Sequence, residues 1–527
     1  MNLNSKSIIL IISYFFLILI SFFINHWVGS RGLFPIDSFV HFDPAVRILN
    51  NELPIRDFWI VHGLIVDLIQ AFFFKIFGIS WQTYLLHGSL FNSIIAIFSF
   101  KILKDFNVDI KYAFILTLFI AFLGYPVSAT PFLDLHSTYL SLFSMYLLMI
   151  FVKNDDYSKL FMSIILLGFA FFCKQVPATY FIIFTSLFII YYSYLSKSFK
   201  PIIVSALASI LFIILVLIYL FSTKTEFKEL LLQLFIFPSS IGFERYTDYS
   251  LNINNLFLNF KFIYLALFLT ILAFLSNYYY KNFIDIKKKL NIFIILIFFT
   301  ISLIFHQIHT KNQIFIFFLI PLLSGFFIYF LNDNKIKYKK SLINFIILFC
   351  FFITVKYHDR FNEMRKFHEL SSTNIDNAID VNFEKPFFNG LKWITPSFKD
   401  PEEELKILKD FYLEIKKRDD NNMIISRYTF LGGLLNKSTF TPSRTFDDIS
   451  YPFLNNENFT NYKNFFKKNI KKKNISNIYI FNPGFEPSEE ALNNVIYDYL
   501  PEECYKSRNL DYYTIKIEIQ NCNYLAR

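Results

Sequence analysis

"FPIDSFVHFDPAVRILNNELPIRDFWIVHG", residues 34–63, follows directly on the first long apolar run of the chain, and its reading decides the fold. It carries Asp37, Asp43, Glu52 and Asp57, with His41, Arg47, Arg56 and His62 among them. Charges this dense between apolar runs fit a loop at a membrane face. Of the 527 residues, 54% are apolar and 20% aromatic, and the mean hydropathy is +0.42. Several apolar runs reach the roughly 18 to 20 residues that cross a hydrocarbon core. The class is therefore a polytopic α-helical membrane protein.

Working outward from that loop, about eleven transmembrane helices are expected, near 8–26, 82–103, 112–127, 136–152, 160–174, 177–196, 201–221, 258–279, 291–307, 313–331 and 341–356. The N-terminal run is long for a signal peptide and no small-x-small site follows it, so it reads as an uncleaved first span. Short Lys-rich segments at 101–111, 153–159, 197–200, 281–289 and 332–340 alternate with longer, Lys-poorer ones at 27–81, 124–136, 222–257 and 307–312. By the positive-inside rule the former are cytoplasmic. The N-terminus is then cytoplasmic and the C-terminus extracytoplasmic, in a bacterial inner or plasma membrane. The net charge of +10 is absorbed by those loops and gives no reason to invoke nucleic acid. Residues 64–79 are apolar but interrupted by Asp67, Gln70 and Lys75; they suit an interfacial helix of the first outer loop better than a crossing one.

The composition changes near residue 357, which divides a transmembrane module, 1–356, from an extracytoplasmic α/β domain, 357–527. "NMIISRY" (422–428) and "NIYIFN" (477–482) read as strands. Residues 400–418 read as a helix with acids first and bases last, capped by Asp400. Cys504 and Cys522 bracket the final strand-like segment, and an oxidising compartment favours a disulfide between them. Cys173 and Cys350 fall in spans as packing residues. Within the first loop, Asp43 before Pro44 reads as the cap of a short surface helix. Arg56 and Asp57 read as a pair pinning a turn. Asp37, close to the membrane face, has no such structural task.

In order and topological side, these pieces resemble the GT-C superfamily of membrane glycosyltransferases, which includes the protein O-mannosyltransferases and the lipid A aminoarabinose transferases. The first outer loop of that family opens with an acid, followed by an Ala-rich helix, a "G-x-L-P-Y-R-D" turn and an interfacial helix ending in "FG". Here these stand as Asp37, "PAVRILNNELPIRDF" and "LIVDLIQAFFFKIFG", with Asn51 and Ile55 replacing the usual Gly and Tyr. "PFLDLHSTYL" supplies Asp134 at the family's second acid, and "GFAFFCKQ" resembles its "G-x-A-x-x-x-K-Q" segment. "HTKNQIFIFFLIP" resembles its late His-containing segment without the Tyr after His309. The likeness spans roughly the first 330 residues.

The resemblance implies transfer of a hexosyl or pentosyl group from a polyprenyl-phosphate sugar, within the lipid bilayer, to a glycolipid, glycan or protein acceptor on the outer face. An acceptor hydroxyl needs a base, an effect of about 10²- to 10⁴-fold, and Asp37 is the expected one. Asp134 is open to three roles: orienting Asp37, binding a divalent cation or holding the acceptor. Capping its own span is the bland alternative. Lys174, at the outer end of a span, is placed to neutralise the leaving phosphate, unless it merely snorkels. Arg56, Asp57, His62, Arg245 and His309 are further candidates for substrate contact. No motif demands a cofactor; a divalent metal on the Asp134-x-His136 pair rests on two residues only. A transporter or flippase of lipid-linked saccharides, with charges near mid-membrane, and a glycan polymerase or ligase are the competing readings.

Overall fold

The computed structural model describes residues 5–33, 37–125, 128–241, 253–278, 283–310, 316–332, 338–363, 373–418, 420–446, 450–483 and 498–526. Arg245 lies outside them. In chain order the first nine helices are α1 (Ser5–Gly29), α2 (Phe42–Leu49), α3 (Ile65–Phe77), α4 (Trp81–Asp105), α5 (Ile110–Gly124), α6 (Leu133–Asn154), α7 (Tyr157–Cys173), α8 (Gln175–Ser196) and α9 (Lys200–Thr223). Helices Lys261–Tyr278, Phe283–Thr310, Leu319–Leu331 and Lys339–Tyr357 follow. Among the described residues seven helices are long and apolar enough to cross a membrane: α1, α4, α6, α8, α9 and two of the later ones. The shorter apolar helices are α5, α7, Lys261–Tyr278 and Leu319–Leu331. Each expected span falls on one of these helices.

Local chemistry sets several of the helix starts. The Ser80 hydroxyl accepts from the Thr83 amide at the head of α4. Asp109 and Asp156 do the same for α5 and α7, each satisfying an amide that the helix leaves open. Helix α6 runs through the middle of the bundle, whereas α9 lies on its periphery. Inside, short polar side chains bridge helices: Asn92 donates to the Ser21 and Ala121 carbonyls, and Ser144 meets Ser163 at 2.8 Å. Such bridges hold helices together where lipid removes the hydrophobic drive.

The Lys-rich loops gather at one end of this bundle. Lys288 donates to Asp155 at 2.6 Å and to the Lys153 carbonyl at 3.0 Å, and Asn332 donates to the Asn107 carbonyl. The long first loop and the C-terminal residues occupy the opposite end. There α3 spans 13 residues, a length of about 20 Å against the roughly 30 Å of a hydrocarbon core. It buries Val66, Asp67, Gln70, Ala71 and Phe74 and exposes Phe72, Ile76 and Phe77, as an interfacial helix should.

The C-terminal residues form a four-stranded sheet from β3 (Asn422–Ile425), β4 (Asn477–Phe481), β5 (Tyr505–Asn509) and β6 (Thr514–Ile519) in the order β3-β4-β6-β5; β1 (Ile379–Asp380) and β2 (Lys392–Trp393) make a small antiparallel pair. The β3–β4 pairing is parallel and the others antiparallel. Asp400 caps helix Pro401–Lys416, accepting from the Glu402 amide at 2.9 Å. That helix buries Glu404, which receives hydrogen bonds from Trp393, Thr395 and Tyr428. Cys504 and Cys522 are joined by a disulfide that ties the ends of the β5–β6 hairpin.

This region shares a core with the first loop. Phe39, Phe42, Val46, Phe74 and Trp81 pack in one cluster with Phe387, Trp393, Phe430 and Tyr479. The expected surface helix at Asp43 needs correcting on this account. Helix α2 is buried, its N-cap is His41, and Asp43 caps nothing. The Asp43 carboxylate is 2% exposed and accepts from Thr439 at 3.0 Å. A Cβ on Gly432 would stand 2.7 Å from Asp43 Oδ1, so only glycine lets the helix Leu431–Leu435 lie this close to α2. Asp–Pro starts a helix whichever way its face turns, and here the face turns inward.

Burial pushes the Asp43 carboxyl up to about 7, against the pull of Arg47 and the Thr439 hydroxyl. A carboxyl raised in the fold contributes fully below its ordinary value near 3.8, and that contribution is lost as pH rises through about 7. Raising pH from 5 to 8 is therefore expected to remove the Asp43 contribution to the melting temperature of the detergent-solubilised protein, while the buried His41, held below its ordinary value, acts in the opposite sense. Asp43→Asn, which keeps an acceptor for Thr439, is expected to remove the Asp43 part of that dependence. Thermal-shift measurements across pH check both.

Candidate active site at the loop-bearing end of the bundle

Three helices bring side chains together at the end that carries the first loop. Asp134 lies in the first turn of α6. Lys174 is the extended residue that joins α7 to α8, and Val176, two residues on, is extended as well. His306 lies in the last turns of Phe283–Thr310. The Lys174 ammonium donates to both carboxylate oxygens of Asp134 at 2.6 Å, and His306 Nε2 stands 3.4 Å from Oδ1. Lys174 and Asp134 are each 14% exposed, so the pair touches solvent from a largely covered position. Asp134 therefore answers a cation and does not cap its own helix. Paired in this way, it holds Lys174 in one place and is poorly suited to take a proton.

The first loop lies directly against this pair. Gln175 donates to the Val61 carbonyl at 3.1 Å and to the Leu234 carbonyl at 2.9 Å. A Cβ on Gly63 would fall 1.7 Å from the Phe172 carbonyl oxygen, so no larger residue fits there. Residues 61–63 are thus seated on 172–175, on either side of Lys174. His62 is half-buried in that segment. His309, one turn beyond His306, is half-buried with its ring parallel to that of Phe305.

Asp37 is half-buried in the turn over 37–41 that leads into α2. Among the described contacts none joins it to Asp134 or Lys174. Arg56 and Asp57 pair at 2.6 Å, and Lys472 closes on the other Asp57 oxygen at 2.6 Å. Burial pushes the Asp57 carboxyl up, but hydrogen bonds from Arg56, Lys472 and the Leu53 amide outweigh it and bring it down to about 2. Arg56 also donates to the Thr223 and Asn51 carbonyls. Both residues hold the turn together. Asn51 takes a φ of 63° there, a conformation that glycine adopts freely and asparagine tolerates.

The Asp134-x-His136 pair does not converge. His136 Nδ1 faces the Phe132 carbonyl at 2.8 Å and its Nε2 faces His87 Nε2 at 3.1 Å, while Asp134 turns to Lys174. Among the described residues no three His, Cys, Asp or Glu side chains gather as a metal site.

A second buried cluster had no sequence motif to announce it. Asp67, fully buried on α3, meets His41 Nδ1 at 2.6 Å and a guanidinium N–H of Arg444. Burial holds the His41 imidazole below its ordinary value, against the opposing pull of Asp67. The lone acid in the apolar run 64–79 was the available signal that a partner exists. Nothing marked Arg444, 377 residues away, as that partner. His306 was hidden by its neighbour His309, which occupies the more polar end of the same helix.

No protein-family model matches the chain, and no curated protein matches it by sequence. Among solved structures, the chain overlaps ArnT from Cupriavidus metallidurans bound to undecaprenyl phosphate, at 12% identity and a TM-score of 0.46, over 98% of each chain. It also overlaps the Archaeoglobus fulgidus oligosaccharyltransferase in complex with Zn and sulfate, at 10% identity and a TM-score of 0.44. That overlap covers 94% of this chain and 71% of the other. Both scores lie below 0.5.

Removing one partner of a buried pair leaves an uncompensated charge, at a cost of about 3 to 5 kcal/mol. Asp134→Asn and Lys174→Gln are each expected to lower the melting temperature more than the double variant does. A thermal-unfolding double-mutant cycle measures this; additive losses would mean that the pair is not coupled.

Proposed function

We propose that the protein is a glycosyltransferase that moves a sugar from a polyprenyl-phosphate donor to an acceptor hydroxyl at the membrane face. The observation that carries this reading is Lys174, fixed by Asp134 at the loop-bearing end of the bundle, the level at which the phosphate of a membrane-borne donor would come. Its ammonium, in a largely covered but open position, is the cation we assign to a phosphate oxygen. As the bond from the sugar's anomeric carbon to the phosphate oxygen breaks, negative charge grows on the leaving phosphate. A fixed cation in a largely covered site stabilises that charge without reorganising. A lipid-borne phosphate calls for no nucleotide-binding fold.

The acceptor oxygen needs a base as it bonds to the anomeric carbon. Asp37, the half-buried acid at the head of the first loop, is the one we assign to that proton. The order of motifs along the chain, which resembles the GT-C pattern, supports the same division of labour. The end of the bundle that bears the site is taken as extracytoplasmic, since the Lys-rich loops lie at the other.

Purified full-length protein supplied with a panel of polyprenyl-phosphate sugars is expected to transfer from at least one of them. Asp37→Asn is expected to lose at least about 10²-fold in rate while eluting and melting as the wild type. Full activity in that variant overturns the base assignment. Transfer from a nucleotide sugar and from no polyprenyl-phosphate sugar overturns the donor reading.

A further inference from the structure

The C-terminal residues do not simply cover the first loop; one of their side chains enters it. Arg444 is 5% exposed and Asp67 fully buried. One guanidinium nitrogen, Nη2, donates both to Asp67 and to the Gly63 carbonyl, the latter at 2.9 Å. Asp67 passes the contact on to His41 at 2.6 Å. The Arg444 amide also donates to the Trp59 carbonyl at 2.9 Å, and the Trp59 amide to the Pro442 carbonyl at 2.7 Å. The Arg444 side chain thus holds one arm of the loop directly, at Gly63, and reaches the other through Asp67 and His41. One arm is residues 59–63, seated on 172–175 around Lys174. The other is the turn 37–41, which begins at Asp37 and ends at His41.

We infer that Arg444 is a positioning residue for transfer: through Asp67, His41 and the Gly63 carbonyl it sets the place of Asp37 relative to Lys174. The inference rests on the transferase reading above. Arg444 touches neither Asp37 nor Lys174 in any described contact, so its effect is expected on the assembled geometry. A misplacement near 1 Å in a reacting constellation costs on the order of 10²-fold in rate. Because Nη2 alone makes both contacts, a lysine ammonium with its rotatable donors can replace much of the effect.

The test uses the full-length protein and the variants Arg444→Ala, Arg444→Lys and Asp67→Asn, with two readouts. The first is kinetics on whichever polyprenyl-phosphate sugar the wild type accepts. Arg444→Ala is expected to lower kcat by about 10²-fold with KM for the donor changed less than about threefold. Arg444→Lys is expected to recover most of that loss. The second readout is hydrogen exchange across 37–63, expected to quicken in Arg444→Ala and Asp67→Asn but not in the lysine variant.

Wild-type kcat in Arg444→Ala overturns the inference, as does loop exchange that stays at the wild-type rate. A wild type inactive on every polyprenyl-phosphate sugar overturns the transferase reading instead, while hydrogen exchange still decides whether Arg444 holds the loop. If Arg444→Ala does not fold, Asp67→Asn and Arg444→Lys decide: equal activity and equal exchange in both, at wild-type levels, overturns the inference.

Discussion

Asp67 is a fully buried acid, on a helix whose other buried residues are mostly apolar. An isolated buried carboxylate is costly by several kcal/mol even after relaxation, and the helix has no cation of its own facing inward. The charge is met by Arg444 from the far end of the chain and by His41 from the turn before α2. Folding the first loop around Asp67 is thus inseparable from docking the C-terminal sheet. The same logic repeats outward from it. Lys473 closes on Glu52 at 3.1 Å, Lys472 on Asp57, and Arg47 reaches the Thr441 carbonyl at 2.6 Å. Charges that would suit a wet loop are instead the ties that bind it under a second layer.

The same anchoring extends to the candidate site. The pair Lys174–Asp134 is almost covered, the backbone of residues 61–63 is seated on Phe172 and Gln175 on either side of Lys174, and that backbone is itself held by Arg444 and Gln175. The transmembrane bundle supplies the cation and its counter-charge. The C-terminal region supplies the clamp.

Much of the fold was legible from the sequence because hydropathy and loop charge are properties of residues taken in order. Eleven apolar segments, the interfacial 64–79 and the capped helix after Asp400 all express local rules. What escaped were long-range pairings and the direction in which a face turns. Asp43–Pro44 carries the same helix-start pattern in a surface helix and in a buried one, so its burial under Thr439 and Gly432 could not be read. His306 and His309 are a turn apart on one helix, and only packing against α6 selects the first for Asp134. Lys174 and Asp134 were both visible as candidates. Their mutual bond, which turns one into the holder of the other, was not.

The position of Asp37 follows from the same anchoring. Before it, the Leu33 amide donates to the Ile394 carbonyl at 2.9 Å; after it, the Thr429 hydroxyl donates to the Phe39 carbonyl at 3.0 Å. Both acceptors and donors on the far side belong to the C-terminal region, and they bracket Asp37 within seven residues. A residue set between two such anchors, and joined through His41 and Asp67 to a third, takes its coordinates from the C-terminal region that lies over it. Lys174 takes its own from the bundle beneath. The relative placing of the two therefore depends on how the C-terminal region sits on the bundle, and Arg444 is the side chain that spans that contact at Asp67 and Gly63.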